Sequence, residues 1–415
     1  MNIAMLHYSV PPIVGGVESV MGHHARLISD AGHNVKFIAG RGQQIDPRVA
    51  CIIDPILDSR HEQVLEIKQE LDRGQVPPGF EALKMKILQV LRKALSGIDL
   101  LIVHNVCSLA KNLPLTAALK DLSMEINAPP MIQWHHDLAW KTPRYASELH
   151  AGYPWDLLRT FWEGTLQVVV SELRRQELAD LYAMSPEQIH VVPNGVDLAK
   201  FYKLETQTIH FIQSIDLFRA HPVLLLPVRI TPRKNIEMAI RIVGHLRKDF
   251  PMVKMVVTGP LGPHNPANLE YFNRLTKLRA EHGLEKNVYF LAELTSEFLP
   301  DEVIADFYRL SDMLLFPSRE EGFGIPILEA GLVRLPVFCT DISPLHHLGG
   351  ELVHYFLADD KPEDVAKRIG KFLEKEPLYQ QCVHIRREYR WETIYWIKIE
   401  PILKEAAIAW SKDHE

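Results

Sequence analysis

The stretch 318–331 holds the most informative side chains in the chain. Two carboxylates, Glu321 and Glu329, stand eight positions apart around a glycine-bearing loop. The apolar run Met313–Phe316 before the loop predicts a buried strand, and Pro326 after it predicts the first turn of a helix. Ionised carboxylates accept hydrogen bonds from the vicinal hydroxyls of sugars, and N–H groups at a helix start can bind an anion. The alternative is that Glu329 only complements the helix dipole and that Glu321 is a solvated loop residue.

A second candidate site is a cluster of three cations, Arg229, Arg233 and Lys234. It directly follows the apolar run Leu224–Val228, which predicts a strand, and precedes apolar residues at helical spacing. Arginine offers paired hydrogen bonds to a phosphate and lysine offers a point charge, so the cluster could clamp a diphosphate. An ordinary solvated turn is the alternative. The chain has no Asp-x-Asp pair, so a phosphate site here would use cations and helix dipoles instead of a divalent metal ion.

Two further candidates lie in the first half of the chain. Gly15 and Gly16 separate a predicted strand from a predicted helix, and their missing side chains would let a phosphate approach the helix start. They form neither a Gly-x-Gly-x-x-Gly fingerprint nor a P-loop. His135, His136 and Asp137 follow another predicted strand. The spacing of a metal site is absent there, and a buried or capping histidine is the commoner role.

Two series of elements must position these residues. A chain of 415 residues is too long for one ordinary core, so we expect two domains. Short apolar runs alternate with amphipathic segments, which is typical of parallel sheets covered by helices, with ligands at the carboxyl ends of the strands. The predicted strands are Ile3–Leu6, Val35–Ile38, Ala50–Ile53, Leu100–His104, Met131–Trp134, Val168–Val170 and His190–Val192, then Leu224–Val228, Val253–Thr258, Val288–Leu291, Met313–Phe316, Val337–Cys339 and Val353–Phe356.

Composition narrows the class of protein further. The net charge of −6 argues against a nucleic-acid-binding surface over the whole chain. Four dispersed cysteines without a Cys-x-x-Cys argue against a disulfide scaffold and a zinc ribbon. We expect a cytoplasmic protein, because the start lacks the features of a signal peptide and no apolar run is long enough to span a membrane. Basic residues within 84–93 leave a weak peripheral membrane contact as a minor alternative to a solvated helix face.

Taken together, the motifs resemble glycosyltransferase family 4, the retaining enzymes of the GT-B fold. Four motifs occur in that family's order: Gly-Gly-x-Glu at 15–18, Pro-Asn-Gly-Val-Asp at 193–197, Arg-x-x-x-x-Lys at 229–234 and Glu-x7-Glu at 321–329. The resemblance implies an α/β fold of two doubly wound, Rossmann-like domains that face each other across a cleft. The acceptor-binding domain would cover 1–200 and the nucleotide-sugar-binding domain 201–385, with a C-terminal helix in 386–415 crossing back to the first.

The resemblance also implies roles for individual residues of the second domain. Glu329 would hold the ribose of the donor, and Glu321 would contact the transferred sugar. Arg229 and Lys234 would neutralise the leaving diphosphate. The main chain of three loop residues would bind the sugar or the phosphate, namely Phe323, Gly324 and Ile325. The family favours glycine after the lysine, where this chain has Asn235, and also before Arg229, so the geometry of this loop is expected to differ.

In the first domain, the resemblance places Gly15 and Gly16 against the same phosphates. His136 aligns best with the histidine that approaches the sugar, and His135 remains an alternative. Further candidates for the site are Asn105, Asp137 and Arg233. The segment 46–95 is longer than expected between early strands and could form a wall or lid for the acceptor.

The implied function is retaining transfer of a hexose from a nucleotide diphosphate sugar, carrying UDP or GDP, to an acceptor hydroxyl. No metal or other cofactor would be required. No carboxylate is placed as a covalent nucleophile, which favours front-face transfer over double displacement. The alternatives are another GT-B enzyme, either a nucleotide-sugar epimerase or a phosphorylase, and a non-catalytic nucleotide-sugar-binding protein.

Overall fold

The chain divides into two compact units in its computed structural model, which describes residues 1–261 and 266–412. Unit 1 contains Met1–Gly195 and Trp391–Glu415, and unit 2 contains Val196–Arg390. The boundaries lie at 195 and 390, against the expected 200 and 385. The first and the last residues of unit 2 lie side by side. The Val196 N–H donates a hydrogen bond to the Tyr389 carbonyl over 2.7 Å.

Unit 1 is built on a seven-stranded parallel sheet in the order β3-β2-β1-β4-β5-β6-β7. The predicted strands are confirmed, with the bounds β1 Asn2–Ser9, β2 Asn34–Arg41, β3 Val49–Ile53, β4 Leu100–His104, β5 Met131–His135, β6 Thr165–Val169 and β7 Ile189–Val191. Alternate residues of β1 belong to two different hydrophobic cores. Ala4 and Leu6 pack on one face of the sheet, and Ile3 and Met5 pack on the other. Burial on both faces explains why these strands are continuous apolar runs.

Helices cover both faces of the first sheet. Their bounds are α1 Gly16–Asp30, α2 Glu62–Leu71, α3 Gly79–Ala94, α4 Leu113–Ser123 and α5 Glu172–Tyr182. Most of the long segment 46–95 therefore folds as β3, α2 and α3, and Val64, Phe80 and Leu91 pack into the core on the Leu6 face. On α3, Lys84 pairs with Glu81 at 2.6 Å. This ion pair neutralises the charge of Lys84 near the start of α3.

Unit 2 repeats the same plan with six parallel strands in the order β10-β9-β8-β11-β12-β13. The strand predictions are again confirmed, with the bounds β8 Val223–Leu226, β9 Lys254–Val257, β10 Val288–Phe290, β11 Met313–Phe316, β12 Val337–Thr340 and β13 His354–Phe356. The helices are α6 Leu198–Tyr202, α7 Thr206–Ser214, α8 Ile236–Leu246, α9 Pro266–Glu281, α10 Asp301–Leu310, α11 Ile325–Leu332, α12 Ser343–Gly349, α13 Pro362–Leu373 and α14 Pro377–Glu388.

The end of the chain belongs to unit 1. Helix α15 (Trp391–Ile394) continues through the π-helical segment Tyr395–Ile399 into α16 (Glu400–Lys412). Trp391 and Leu403 lie in the same core as Met5. The Trp391 ring also explains Gly195, because a Cβ there would lie 2.6 Å from a ring carbon. Among the described residues, no helix combines the length and the apolar composition that a membrane crossing requires.

Both sheets have a point at which the strand order reverses. In unit 1 it lies between the neighbours β1 and β4, and in unit 2 between β8 and β11. Doubly wound sheets bind ligands outside the carboxyl ends of the strands at such a point. We therefore expect ligands to bind at the loops that follow β1, β4, β8 and β11.

Candidate functional site

In unit 2, the loops after β8 and β11 come together because their strands are neighbours. The Lys234 Nζ lies 2.5 Å from Glu321 Oε1. The Arg319 backbone N–H also donates to the Arg233 carbonyl over 2.8 Å. Residues 87 positions apart in the chain are thus joined in one ion pair. Two of the side chains that the sequence analysis selected separately therefore belong to one constellation.

This ion pair is shielded from solvent. The exposed fractions are 11 % for the Lys234 side chain and 8 % for the Glu321 side chain. The Lys234 ammonium also lies 5.6 Å from the centre of the Phe316 ring. Screening by water is weak in such surroundings, so each charge depends on the other. A ligand that reaches this pair would meet two pre-positioned charged groups.

Two arginines lie in the same loop as Lys234. Arg229 and Arg233 are exposed in the loop that leaves β8. Among the described residues, no carboxylate lies within ion-pair distance of either guanidinium group. Within the described part of the chain, this edge of the sheet therefore presents two unpaired arginines next to a neutralised pair. That distribution of charge suits an anion with several oxygens, such as a diphosphate.

The β8–α8 loop has Asn235 where the resemblance leads us to expect glycine. Asn235 has φ +51° and ψ +44°, in the left-handed region that glycine usually occupies. Asparagine tolerates this region better than most residues with a side chain. On the other side of the loop, Gly259 lies so close that a Cβ there would be 1.9 Å from the Val228 carbonyl oxygen. A glycine from the end of β9 thus provides the close approach that the residue before Arg229 does not.

The β11–α11 loop contains two glycines, Gly322 and Gly324, with different structural roles. Gly324 has φ +110°, and a Cβ there would lie 2.5 Å from the Leu345 side chain, so the fold itself requires glycine. A Cβ on Gly322 would meet no atom of the described residues within 4 Å. Its neighbours Phe323 and Ile325 are more than half exposed. The main chain between Gly322 and Ile325 is therefore open to a ligand at the start of α11.

Glu329 lies in the second turn of α11 and is partly exposed. Its neighbour is Tyr308 on α10, a side chain only 3 % exposed. Burial raises the pKa of the Tyr308 phenol, and the Glu329 carboxylate raises it further. The phenol is consequently protonated and can act as a donor at neutral pH. Sequence reasoning missed Tyr308, because nothing in its local spacing connects α10 with α11.

A cavity of about 180 Å³ lies at the carboxyl ends of β9 and β10. Its apolar wall comes mainly from Leu261, Leu291 and Leu299. The polar lining comes mainly from Thr258, Thr295, Ser296 and Glu297. Apolar walls with a few polar groups are typical of sites that bind small organic molecules.

In unit 1, the neighbouring strands β1, β4 and β5 bring three histidines to one edge of the sheet. These are His7 on β1, His104 at the end of β4 and His136 directly after β5. His7 Nδ1 lies 2.8 Å from the His104 carbonyl oxygen, and His104 Nδ1 lies 3.1 Å from His136 Nε2. Sequence reasoning missed His7 and His104. The signal was available for His104, because it was already the last residue of a predicted strand.

Asn105 holds the turn that carries His136. Its Oδ1 accepts hydrogen bonds from the backbone N–H groups of His136 over 2.7 Å and Asp137 over 3.1 Å. Asn105 itself is buried and has φ +58°, a conformation that asparagine tolerates. The Asp137 carboxylate pairs with Arg144 at 3.3 Å and with Arg174 at 3.6 Å. Asn105 is thus part of the scaffold of this turn, and Asp137 is held among cations.

The structure distinguishes the two adjacent histidines. His135 is 1 % exposed, and its Nε2 lies 2.9 Å from Gln167 Oε1 in the sheet interior. His136 keeps some exposure at the sheet edge. Burial, together with the nearby His7 and His135, lowers the pKa of His136 to about 3. His136 is therefore a neutral imidazole at physiological pH. Among residues 1–261 and 266–412, no group of three or more His, Cys, Asp or Glu side chains could hold a metal ion.

The two glycines at the start of α1, Gly15 and Gly16, also differ in their surroundings. A Cβ on Gly15 would lie 2.1 Å from the Glu18 carboxylate, which folds back to accept a hydrogen bond from Ser9 over 2.5 Å. For Gly16, the first residue of α1, no atom of residues 1–261 or 266–412 lies within 4 Å of such a Cβ. Gly15 is therefore explained by packing inside the chain. Gly16 leaves free space at a helix N-terminus.

Comparison with known proteins identifies the family to which the chain belongs. The family model described as Glycosyltransferase Family 4 matches residues 14–200, and that described as Glycosyl transferases group 1 matches residues 210–389. The two matches lie side by side and together span most of both units. The chain belongs to glycosyltransferase family 4, a family of the GT-B fold.

Individual relatives are more distant. The MMP alpha-(1->4)-mannosyltransferase of Mycolicibacterium hassiacum is 27 % identical over 84 % of this chain and 83 % of its own length. The mannosylglucosylglycerate synthase of Petrotoga mobilis is 25 % identical over 60 % of this chain, and the match spans 62 % of that enzyme, less than two thirds of its length. Among solved structures, sucrose-phosphate synthase from Thermosynechococcus elongatus is 16 % identical over 98 % of this chain and 99 % of that chain, with a TM-score of 0.39.

Proposed function

We propose that this protein is a retaining glycosyltransferase. It transfers a hexose from a nucleotide diphosphate sugar to the hydroxyl of an acceptor, and it needs no metal ion. Unit 2 binds the donor and unit 1 binds the acceptor. Family membership and the names of two relatives, both of which refer to mannosyl groups, support hexose transfer.

The observation that carries the proposal is the constellation at the ends of β8 and β11. The Lys234–Glu321 pair, with Arg229 and Arg233 beside it, combines cations for a diphosphate with a carboxylate for sugar hydroxyls. These cations can stabilise the charge that develops on the leaving diphosphate, which is the work that a metal ion does in other enzymes. The open main chain from Gly322 to Ile325 adds N–H donors at the start of α11.

We propose that the reaction proceeds on one face of the sugar. The bond between the anomeric carbon and the diphosphate oxygen breaks, and the acceptor oxygen forms its new bond from the same side. The acceptor proton passes to the departing diphosphate oxygen, so the anomeric configuration is kept. A neutral His136 would hold a sugar hydroxyl by a hydrogen bond and would not act as a charged acid.

The remaining parts of the donor are assigned by the same chemistry. Glu329 would accept hydrogen bonds from the ribose, with the Tyr308 phenol as its neighbour. The cavity between β9 and β10 would hold the nucleobase, since its apolar walls suit a planar ring. The Glu297 carboxylate on its lining would accept hydrogen bonds from the N–H groups of a guanine, whereas uracil presents carbonyl oxygens beside a single N–H. Both UDP-sugars and GDP-sugars therefore belong in the test.

The decisive experiment incubates the full chain with UDP-hexoses and GDP-hexoses and a panel of hydroxyl acceptors in the presence of EDTA. We expect an acceptor-dependent glycoside whose anomeric configuration, read by NMR, equals that of the donor. Conversion of the donor without acceptor would indicate an epimerase instead. A requirement for inorganic phosphate would indicate a phosphorylase, and tight binding without turnover would indicate a binding protein.

Variants link the activity to the constellation. Arg229→Ala and Glu321→Gln should each lower kcat by about 100-fold or more, the usual effect of removing one group that stabilises charge in the transition state. Arg241→Ala is the matched control. Arg241 is also an exposed arginine, but it lies on α8, beyond the loop that carries Arg229. Normal transfer by Arg229→Ala or Glu321→Gln would contradict the assignment.

A further inference from the structure

His104 is the residue of unit 1 that the proposed reaction does not use although it contacts His136. Its ring is fully buried and stacks on Trp134, with 5.5 Å between the ring centres and 27° between the ring planes. Its Nδ1 lies 3.1 Å from His136 Nε2, and its buried Nε2 has no hydrogen-bond partner among the residues that the structure describes. One of the two imidazoles must donate in this contact and the other must accept.

The surroundings indicate the direction of this hydrogen bond. If His136 donated, the proton of a neutral His104 would sit on Nε2 and would be a buried N–H without an acceptor. Orphaned buried N–H groups are rarer in proteins than under-satisfied acceptors. If His104 donates from Nδ1, its Nε2 carries only a lone pair, and the proton of His136 must sit on its other nitrogen, Nδ1.

A neighbouring imidazole follows the same pattern. His7 Nδ1 lies 2.8 Å from the His104 carbonyl oxygen, which can only accept, so the proton of His7 is on Nδ1. His7 thereby also ties β1 to the backbone of His104. The packing of His104 is thus held from two sides, by His7 at its carbonyl and by Trp134 at its ring.

We propose that His104 is a positioning residue that donates from Nδ1 to His136 Nε2 and so fixes His136 as an Nδ1–H donor. The tautomer follows from unit 1 alone. Its consequence for catalysis rests on the proposed function. His136 would present a neutral N–H to an oxygen of the sugar, and its ring would be oriented before the ligand arrives.

The test reads the tautomer directly. The full chain is labelled with ¹⁵N-histidine, and His136→Gln identifies the His136 signals in long-range ¹H–¹⁵N spectra. We expect a protonated, pyrrole-like Nδ1 and an unprotonated Nε2 in the unaltered chain. A protonated Nε2 on His136 would overturn the proposal, and this measurement does not depend on any His104 variant folding.

Variants then test whether His104 is the cause of the His136 tautomer. His104→Phe should release His136 into a mixture of the two tautomers, whereas His104→Asn, which keeps an N–H donor, should restore the Nδ1–H form at least in part. His24→Phe is the matched control. His24 is also buried, and its ring centre lies 4.7 Å from that of Trp134, but its Nε2 has no hydrogen-bond partner in the described part of the chain. An unchanged His136 tautomer in His104→Phe would refute the proposal.

Activity separates this inference from the proposed function. If the chain is a glycosyltransferase, His104→Phe should lower kcat/KM about three- to tenfold, equivalent to roughly one neutral hydrogen bond. His24→Phe should stay within about twofold of the unaltered chain. A fixed Nδ1–H tautomer in a chain without any transferase activity would leave the inference standing and reject the proposed function. Normal kcat/KM in a folded His104→Phe would reject the catalytic role of His104 alone.

Discussion

Mild acid should destabilise unit 1 through its buried histidines. Burial is the main reason that the pKa of His24 falls to about 3, that of His136 to about 3 and that of His135 to about 4. In the unfolded chain each would titrate near 6.5. Between these values the unfolded state binds a proton that the folded state does not. The stability of the folded state is therefore complete above pH 6.5 and is lost as the pH falls below it.

The size of the effect follows from these pKa values. Between pH 7 and pH 5 each of the three histidines should lower the free energy of unfolding by about 2 kcal/mol, or about 6 kcal/mol if they act independently. That is comparable with the whole stability of a typical domain. Most unperturbed carboxylates titrate below pH 5, so this window isolates the histidines.

The natural probe of unit 1 is tryptophan fluorescence. All seven tryptophans of the chain lie in this unit and none lies in residues 196–390. Urea unfolding followed by tryptophan emission should show a markedly lower midpoint at pH 5 than at pH 7. The midpoint is used instead of the amplitude, because His24 contacts Trp134 and Trp391 directly.

His24→Phe gives the control for this prediction. Phenylalanine keeps a ring among Trp134 and Trp391 but cannot bind a proton, so the difference between pH 7 and pH 5 should shrink by about 2 kcal/mol. Equal urea midpoints at the two pH values in the unaltered chain would refute the reasoning. So would a His24→Phe variant that keeps the full difference.

Three further predictions concern unit 2. Gly324→Ala should destabilise this unit by about 1–3 kcal/mol in thermal unfolding followed by far-UV circular dichroism, because φ is +110° and a Cβ would clash, whereas Gly322→Ala should stay within about 0.5 kcal/mol. Asn235→Gly should keep the stability of the chain, and Asn235→Ala should cost about 1 kcal/mol because alanine does not favour the left-handed region; equal stabilities would show that φ does not matter here. Ala292→Phe should fill the cavity between β9 and β10 and weaken nucleotide diphosphate binding in calorimetry by tenfold or more, while unaltered affinity would place the base elsewhere.

Much of the architecture could be predicted from local patterns. Continuous apolar runs such as Leu100–His104 identify strands buried on both faces, and Gly32 and Pro77–Gly79 mark where helices stop. These signals depend on neighbouring residues alone, so they can be read without the fold. The motifs at 229–234 and 321–329 likewise selected side chains that the structure brings together within unit 2.

Other features could not be predicted because their causes are distant in the chain. Nothing local says that His104 contacts His136, that Tyr308 lies beside Glu329, or that Gly259 makes room for Val228. Each of these contacts exists because two strands or helices are neighbours in the fold. The choice between His135 and His136 has the same origin, since the pleat of β5 turns one ring into the sheet and leaves the next residue at its edge.

Residue types and their spacing along the chain therefore determine the class of this protein: a family 4 chain with two Rossmann-like units and a cationic, carboxylate-bearing loop pair. These properties are encoded over short distances, where periodicity and motif spacing carry the information. Tertiary structure decides the state of the individual groups. The pairing of Lys234 with Glu321, the neutrality of His136 and the left-handed turn at Asn235 arise only when distant segments exclude water from one another and fix the distances between their charges.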